Sequence, residues 1–109
     1  MPTTYKVLGQ QYPTAATATT LYTVPSTTQT VVSSITICNL GSAADTIRIA
    51  IRVAGGALAN EDYIAYEEAV AANSLMTITA GLTLAATDVI TVYSTAGTCA
   101  FNAFGSEIS

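Results

Sequence analysis

Residues 46–53 read Thr46-Ile47-Arg48-Ile49-Ala50-Ile51-Arg52-Val53. A large apolar side chain stands at every second position, which is the period of a β-strand and not the 3.6-residue period of a helix. The four odd-numbered residues are therefore predicted to face a core. The four even-numbered residues, Arg48 and Arg52 among them, are predicted to face water or an interface.

Runs rich in β-branched residues, bounded by turn residues, predict further strands on both sides of this segment. These strands span residues 6–8, 20–24, 29–38, 63–70, 75–82, 88–94 and 98–104. Helix-forming sequence is limited to short Ala-rich pieces at 57–59 and 67–72, which are too short to persist alone. About eight short strands predict an all-β fold, an antiparallel two-sheet sandwich that is jelly-roll-like or immunoglobulin-like.

The chain has 109 residues, the size of one domain. Residues 29–109 carry most of the strand signal and are predicted to form the sandwich core. Residues 1–28 contain a run of Thr and Ala at 14–20 between Pro13 and Pro25. An extended arm or edge segment, ordered by contact, and a flexible leader both fit this composition.

Charge is scarce in this sequence. Only 9% of its residues are Asp, Glu, Lys or Arg, where a soluble domain typically has roughly 25%. Thr, Ser, Ala and Asn must cover surface that charge would otherwise cover, which favours a protein whose faces contact neighbours. A neutral, Thr-rich domain that is simply soluble is the alternative.

The net charge of −4 and the three basic residues, Lys6, Arg48 and Arg52, argue against a nucleic-acid partner, because phosphate binding needs a basic face. No apolar stretch approaches the ~20 residues of a membrane span, and no amphipathic helix is predicted for a membrane surface. The start of the sequence lacks the pattern of a signal peptide. We therefore expect neither a nucleic-acid nor a membrane partner.

Few side chains in this sequence are of the kinds and spacings that catalytic sites use. The chain has no His, which excludes mechanisms that use imidazole as acid, base or metal ligand. Glu67 and Glu68 are adjacent in a predicted strand and should point to opposite faces. Glu61 and Asp62 lack the spacing of an EF-hand calcium loop. We expect no enzyme activity, no cofactor and no metal site.

The two cysteines, Cys38 and Cys99, both fall in predicted strands. Two are too few for a disulfide scaffold, and a buried free thiol is the common state of such residues. We expect both to be reduced. A bridge between them would require their strands to be neighbours.

Six tyrosines and no tryptophan are present. Tyr63 and Tyr66 are close in sequence, but a spacing of three should place them on opposite faces of a regular strand, which disfavours a sugar-stacking platform. Tyr is common in protein interfaces. The candidate interface residues are Tyr5, Tyr12, Arg48, Arg52, Tyr63 and Tyr66.

Several strand motifs carry a resemblance to a known class of proteins. The motifs lie at residues 21–25, 31–39, 47–52, 63–66, 87–93 and 101–107. Together they resemble a family of small structural (decoration or cement-like) virion proteins of tailed bacteriophages, cyanophages among them, over roughly residues 20–108. No single diagnostic signature is involved.

The resemblance implies a non-enzymatic component of a virion, assembled in the host cytoplasm. It implies a capsid decoration or cement protein that stabilises the phage head, with the major capsid protein or other virion proteins as partners, and a homo-oligomer, for which a trimer is expected. The alternative is a fibre or tail-associated module that binds host glycan. The resemblance transfers no catalytic or ligand residues.

Overall fold

The computed structural model describes residues 2–79 and 81–109. This part of the chain contains nine strands. They are β1 (Thr3–Gln11), β2 (Thr19–Thr23), β3 (Gln29–Asn39), β4 (Asp45–Arg52), β5 (Tyr63–Val70), β6 (Leu75–Ile78), β7 (Leu82–Leu84), β8 (Val89–Ser94) and β9 (Cys99–Ile108). The only helical pieces in these residues are two 3-10 turns, Val53–Gly55 and Asn60–Asp62.

The strands form two antiparallel sheets. The five-stranded sheet has the order β1-β9-β3-β6, with β7 also paired to β3, and the four-stranded sheet has the order β2-β8-β4-β5. The predicted two-sheet sandwich is thus confirmed. The predicted strand 75–82 is interrupted: β6 and β7 pair with different parts of β3, and Ala80, between them, lies outside the described residues.

The core lies between the sheets and is built from the alternating residues that the sequence indicates. Ile47 and Ile49 of β4 are fully buried, as are Ile35 and Ile37 of β3. Val53 departs from the prediction. Its side chain is 71% exposed because β4 ends at Arg52 and the chain turns away, with the following Ala54 at a φ of 55°.

Residues 2–28 supply one edge strand to each sheet. β1 pairs with β9, and β2 pairs with β8. At Gly9 the two edges approach so closely that a Cβ would lie 2.1 Å from the carbonyl oxygen of Leu21. A side chain at Gly9 would force the edges apart. The N-terminal stretch therefore closes one side of the sandwich.

A buried carboxylate ties the sheets together at one end. Asp45 at the start of β4 accepts hydrogen bonds from the Ser94 hydroxyl and from the backbone amides of Thr46 (2.8 Å) and Ala96 (2.9 Å). The hydroxyl of Thr98, just before β9, also donates to it at 3.4 Å. These bonds join β4 and β8 of the four-stranded sheet to the residue that precedes β9 of the five-stranded sheet.

A second polar tie crosses the core at the opposite end. The Tyr22 hydroxyl of β2 lies 2.8 Å from the Thr30 hydroxyl of β3 and donates to the carboxylate of Glu107 on β9. Burial, followed by the bond to Glu107, raises the pKa of Tyr22 to about 12. Lys6 adds a 3.0 Å ion pair with Glu107. Each end of the sandwich thus has its own polar clamp between sheets.

Both cysteines are free thiols. They lie on the neighbouring strands β3 and β9, but on opposite faces of the sheet, since Cys38 is paired with Ala100 and Cys99 with Asn39. This placement separates the thiols and precludes a bridge between them. Cys99 is buried as predicted, whereas Cys38 is only half-buried.

Candidate interaction surfaces

The outward side of the five-stranded sheet carries no charged side chain among the described residues, and we call it the neutral face. Residues opposed across antiparallel strands share a face, so the register defines its members. They are Thr3, Tyr5, Val7 and Gln10 of β1, Ala100, Asn102, Phe104, Ser106 and Ile108 of β9, Gln29, Val31, Ser34, Thr36 and Cys38 of β3, and Leu75, Thr77 and Thr83 of β6 and β7.

The charged residues lie elsewhere. Asp45 and Asp88 are buried, and Lys6 and Glu107 pair with each other on the inner side of their strands. The remaining charges belong to the four-stranded sheet and to the 3-10 turn before β5. They are Arg48, Arg52, Glu61, Asp62, Glu67 and Glu68.

The neutral face exposes large apolar side chains between its hydroxyl and amide groups. Tyr5, Val7 and Leu75 are exposed near the two edges, and Val31, on the central strand β3, is 36% exposed. A surface with apolar groups and neutral polar groups, but without charge, can be dehydrated at little electrostatic cost. The neutral face is therefore chemically suited to contact with another protein.

The outward side of the four-stranded sheet, which we call the Arg48 face, is built differently. The guanidinium of Arg48 lies between two tyrosine rings, 4.6 Å from the centroid of Tyr66 and 4.3 Å from that of Tyr93. Its Nε donates to Glu67 at 2.6 Å. That hydrogen bond raises the pKa of Arg48 above its ordinary value. Cation–π contacts and an ion pair thus occupy the arginine within its own chain.

Arg52 is also satisfied internally. Its Nε donates to the Thr91 hydroxyl at 3.1 Å, and its Nη1 donates to the carbonyl oxygens of Gly55 (3.2 Å) and Gly56 (3.1 Å). The turn after β4 is thereby held over the sheet, and the outward residues Ala50 and Thr91 are buried. The predicted wet side of β4 is in fact largely covered by the protein itself.

Tyr63 and Tyr66 contact each other, contrary to the sequence prediction. Their ring centroids are 4.9 Å apart with an interplanar angle of 77°. The reason is a β-bulge: Tyr63 is paired with Ala50 and Ala65 with Ile49, so Ile64 is an extra residue. A bulge changes the alternation of side chains between the two faces. Both tyrosines therefore lie on the Arg48 face.

The two tyrosines line a cleft of about 340 Å³ together with Asn60. Asn60 begins the 3-10 turn that precedes β5, and it is exposed. The turn is fixed by Asp62, whose carboxylate accepts from the backbone amide of Ala59 at 2.9 Å. We call this feature the Tyr63–Tyr66 cleft.

The six candidate interface residues divide between distant surfaces. Tyr5 and Tyr12 are exposed on and beside the neutral face, at β1 and just after it. Arg48, Tyr63 and Tyr66 form one cluster on the Arg48 face, and Arg52 lies beside it on β4. Their membership in an interface stays a prediction.

Sequence reasoning missed two participants. Tyr93 provides the second ring around Arg48 because β8 is the neighbour of β4 in the sheet, which local pattern does not reveal. Asp45 is not among the candidate residues from the sequence, although it is buried with four hydrogen-bond donors around it. An Asp followed directly by an apolar alternation was the signal available for it.

In the described part of the chain, no group of three or more His, Cys, Asp or Glu side chains is arranged to hold a metal ion. None of the helical segments within residues 2–79 and 81–109 is long and apolar enough to span a membrane. Comparison with known proteins gives no match to any protein-family model, any curated protein or any solved structure.

Proposed function

We propose that this chain is a non-enzymatic structural subunit of a virus particle and that it assembles through the neutral face. In its finer form, the proposal is a decoration or cement protein of a phage head, bound to the major capsid protein or other virion proteins. The observation that carries it is the difference between the outer surfaces. On one sheet the charged side chains Arg48 and Arg52 bond within their own chain, whereas the described residues of the neutral face include no charged side chain.

The physical support is the cost of dehydration. A charged group buried at an interface without a partner is strongly destabilising, and the neutral face presents no such group among the residues described. Its Thr, Ser, Asn and Gln side chains can donate and accept hydrogen bonds to a neighbour's backbone. Val31, on the strand β3 between β9 and β7, supplies exposed apolar area on this face.

The resemblance to small virion proteins supports a role in a virus particle. The low charged fraction of 9% supports assembly with neighbouring subunits. A homo-oligomer, with a trimer as the expected form, follows from the resemblance alone. The rival function, a fibre or tail-associated module that binds glycan, is favoured by one observation, the Tyr63–Tyr66 cleft. That cleft lies on the other sheet, so the two functions do not compete for the same surface.

The test compares two variants, each of which introduces one charged residue on the outer side of one sheet. Val31→Glu introduces a carboxylate into the neutral face at a position that is 36% exposed. Ile64→Glu is the matched control, a branched apolar residue of β5 that is 42% exposed. Each variant is co-expressed with the virion proteins encoded by the same genome, and its incorporation into particles is measured by sedimentation and imaging.

We expect Val31→Glu to reduce incorporation at least tenfold, while Ile64→Glu is incorporated like the wild type. Light scattering and circular dichroism of the isolated variants establish that both remain folded. Equal incorporation of both variants would remove the neutral face from the assembly. A wild-type protein that stays monomeric at high concentration and never joins particles would overturn the structural function itself.

A further inference from the structure

We propose that the Tyr63–Tyr66 cleft is a binding site for a neutral sugar ring. This inference is independent of assembly through the neutral face, because the cleft lies on the opposite sheet. It reverses the expectation from sequence spacing that the two tyrosines are separated.

The backbone of β5 is distorted where the cleft is formed. It departs from the regular ladder at two places, with Ile64 and Glu67 as extra residues opposite β4. Glu67 also adopts a φ of 53°, which is unfavourable for a residue with a side chain. The first bulge brings both rings to one face, and the second directs Glu67 to Arg48. Bulges of this kind commonly redirect side chains near functional sites.

The cleft is preorganised. Tyr66 is 58% exposed, yet its ring is fixed by the edge-to-face contact with Tyr63 and by the guanidinium of Arg48. A ring already held in place loses little conformational entropy when a ligand binds. An exposed, immobilised ring beside a solvent-facing amide, here Asn60, provides an apolar surface and a hydrogen-bonding group together.

Electrostatics selects a neutral ligand. Arg48 is already paired with Glu67 at 2.6 Å, and Glu61 and Asp62 directly follow Asn60 in the same turn. An anion such as a phosphate or a sialic acid would face more carboxylates than free cations. A quaternary ammonium ion would bind through a cation–π contact, and the guanidinium of Arg48 already makes that contact with the ring of Tyr66.

A pyranose matches these constraints. The C–H groups of one sugar face can pack on an aromatic ring, while the hydroxyl groups can bond to the Asn60 amide and to the tyrosine hydroxyls. The cleft volume of about 340 Å³ lies within the usual range of ligand sites, ~300–1,000 Å³, at its small end. We therefore expect recognition of one or two sugar units with weak, millimolar affinity, ~−4 kcal/mol.

The experiment titrates the full chain with maltose, cellobiose, lactose and N,N′-diacetylchitobiose, with binding followed by NMR and calorimetry. Tyr66→Ala removes the exposed ring, and Tyr12→Ala is the matched control because Tyr12 is 56% exposed and lies after β1. For at least one of these sugars we expect saturable binding. The affinity should fall at least tenfold in Tyr66→Ala, fall severalfold in Asn60→Ala and stay unchanged in Tyr12→Ala.

Several results would overturn the proposal. They are the absence of binding by all four sugars at tens of millimolar, an equal loss of affinity in Tyr12→Ala, and tighter binding of choline or sialyllactose than of any neutral sugar. Val31→Glu distinguishes the two proposals, since it should bind sugar normally even though it fails to assemble. Sugar binding without assembly, or assembly without sugar binding, thus identifies which proposal is wrong.

Discussion

The two outer faces of the sandwich differ in charge and in how far their outward side chains bond within the chain. On the Arg48 face, the two arginines of β4 donate hydrogen bonds to side-chain and backbone groups of their own chain, and the outward Ala50 is only 1% exposed. On the neutral face, exposed apolar side chains such as Val7 and Leu75 lie among half-buried neutral residues. The comparison shows that a period-two pattern fixes which residues enter the core, whereas the outward residues decide whether a sheet stays open to a partner.

The difference has a local cause. The connection after β4 contains two 3-10 turns, Val53–Gly55 and Asn60–Asp62, and Arg52 holds the first of them against the sheet. The hydroxyl, amide and apolar groups that line the outward positions of β3 and β9 offer no charged group that could fix a loop in this way. No charged side chain of the described residues holds a loop over the outer side of the five-stranded sheet.

The largest loss of stability is expected for substitutions in the core, where residues of the two sheets should contribute equally to the free energy of unfolding. Ile49 of the four-stranded sheet and Ile35 of the five-stranded sheet are both fully buried. Ile49→Ala and Ile35→Ala should each lower the free energy of unfolding by ~2–5 kcal/mol. Val53→Ala, from the same sequence alternation as Ile49, should change it by ~0.5 kcal/mol or less because Val53 is exposed. Urea unfolding curves measure all three variants, and a large loss in Val53→Ala would contradict the turn at Arg52.

The sequence predicts the core well because burial follows alternation directly. The β5 span 63–70 is reproduced without error, and Ile47 and Ile49 face the core as predicted. The error at Val53 arises because alternation does not show where a strand ends. Ala54, with a φ of 55°, stops β4 without any Gly or Pro at that position.

The candidate sites were harder to predict, for a different reason. The contact between Tyr63 and Tyr66 depends on a bulge at Ile64, and a bulge has no local sequence signature when the bulged residue is an ordinary one. Likewise, the neutral face becomes visible only when the strand order is known, because its residues come from separate parts of the sequence. Composition indicated a charge-poor surface, and the topology is what places it on one sheet.

The next largest effect concerns the clamp at Asp45, which both sheets share. Burial alone would raise the pKa of this carboxyl, but hydrogen bonds from Ser94, the Ala96 amide and the Thr46 amide together hold it below its ordinary value of 3.8. A carboxyl with a depressed pKa in the folded state stabilises the fold above its unfolded pKa. This stabilisation is lost as the pH falls through the folded value.

We therefore expect the protein to lose stability below about pH 4. Asp45→Asn should lower the free energy of unfolding by ~1.5–3 kcal/mol at neutral pH, because charge-assisted hydrogen bonds are replaced by fewer neutral ones. It should also flatten the acid limb of the curve of unfolding free energy against pH. The remaining slope is then due to Glu107, whose pKa is lowered by the hydrogen bond from Tyr22. Thermal unfolding at a series of pH values measures both changes. An unaltered acid limb in Asp45→Asn would show that this carboxyl does not titrate as described.

The alkylation rates of the two cysteines should distinguish the inner side of the five-stranded sheet, where Cys99 lies, from its outer side, where Cys38 lies. Burial, with the adjacent Asp45, raises the pKa of Cys99 to about 12, so its thiolate is scarce at pH 8. Cys38 is half-buried on the neutral face. Alkylation of the native free chain should label Cys38 first, and denaturation without reductant should expose both thiols, as mass measurement will show. Incorporation into particles should then protect Cys38, and unchanged labelling in the particle would argue against a covered neutral face.

The smallest effect is expected for Arg52→Ala. If the outward side of β4 were an interface, Arg52 would be expected to find carbonyl or carboxylate partners on a neighbouring subunit. In the structure it donates to Thr91, Gly55 and Gly56 of its own chain, so its removal should free the turn after β4 at a cost of about 1 kcal/mol. Amide exchange should quicken at Ala54 to Gly56, while incorporation into particles stays at the wild-type level. The opposite outcome, weakened association with an unchanged turn, would place the interface on the Arg48 face and reverse the assignment of the two surfaces.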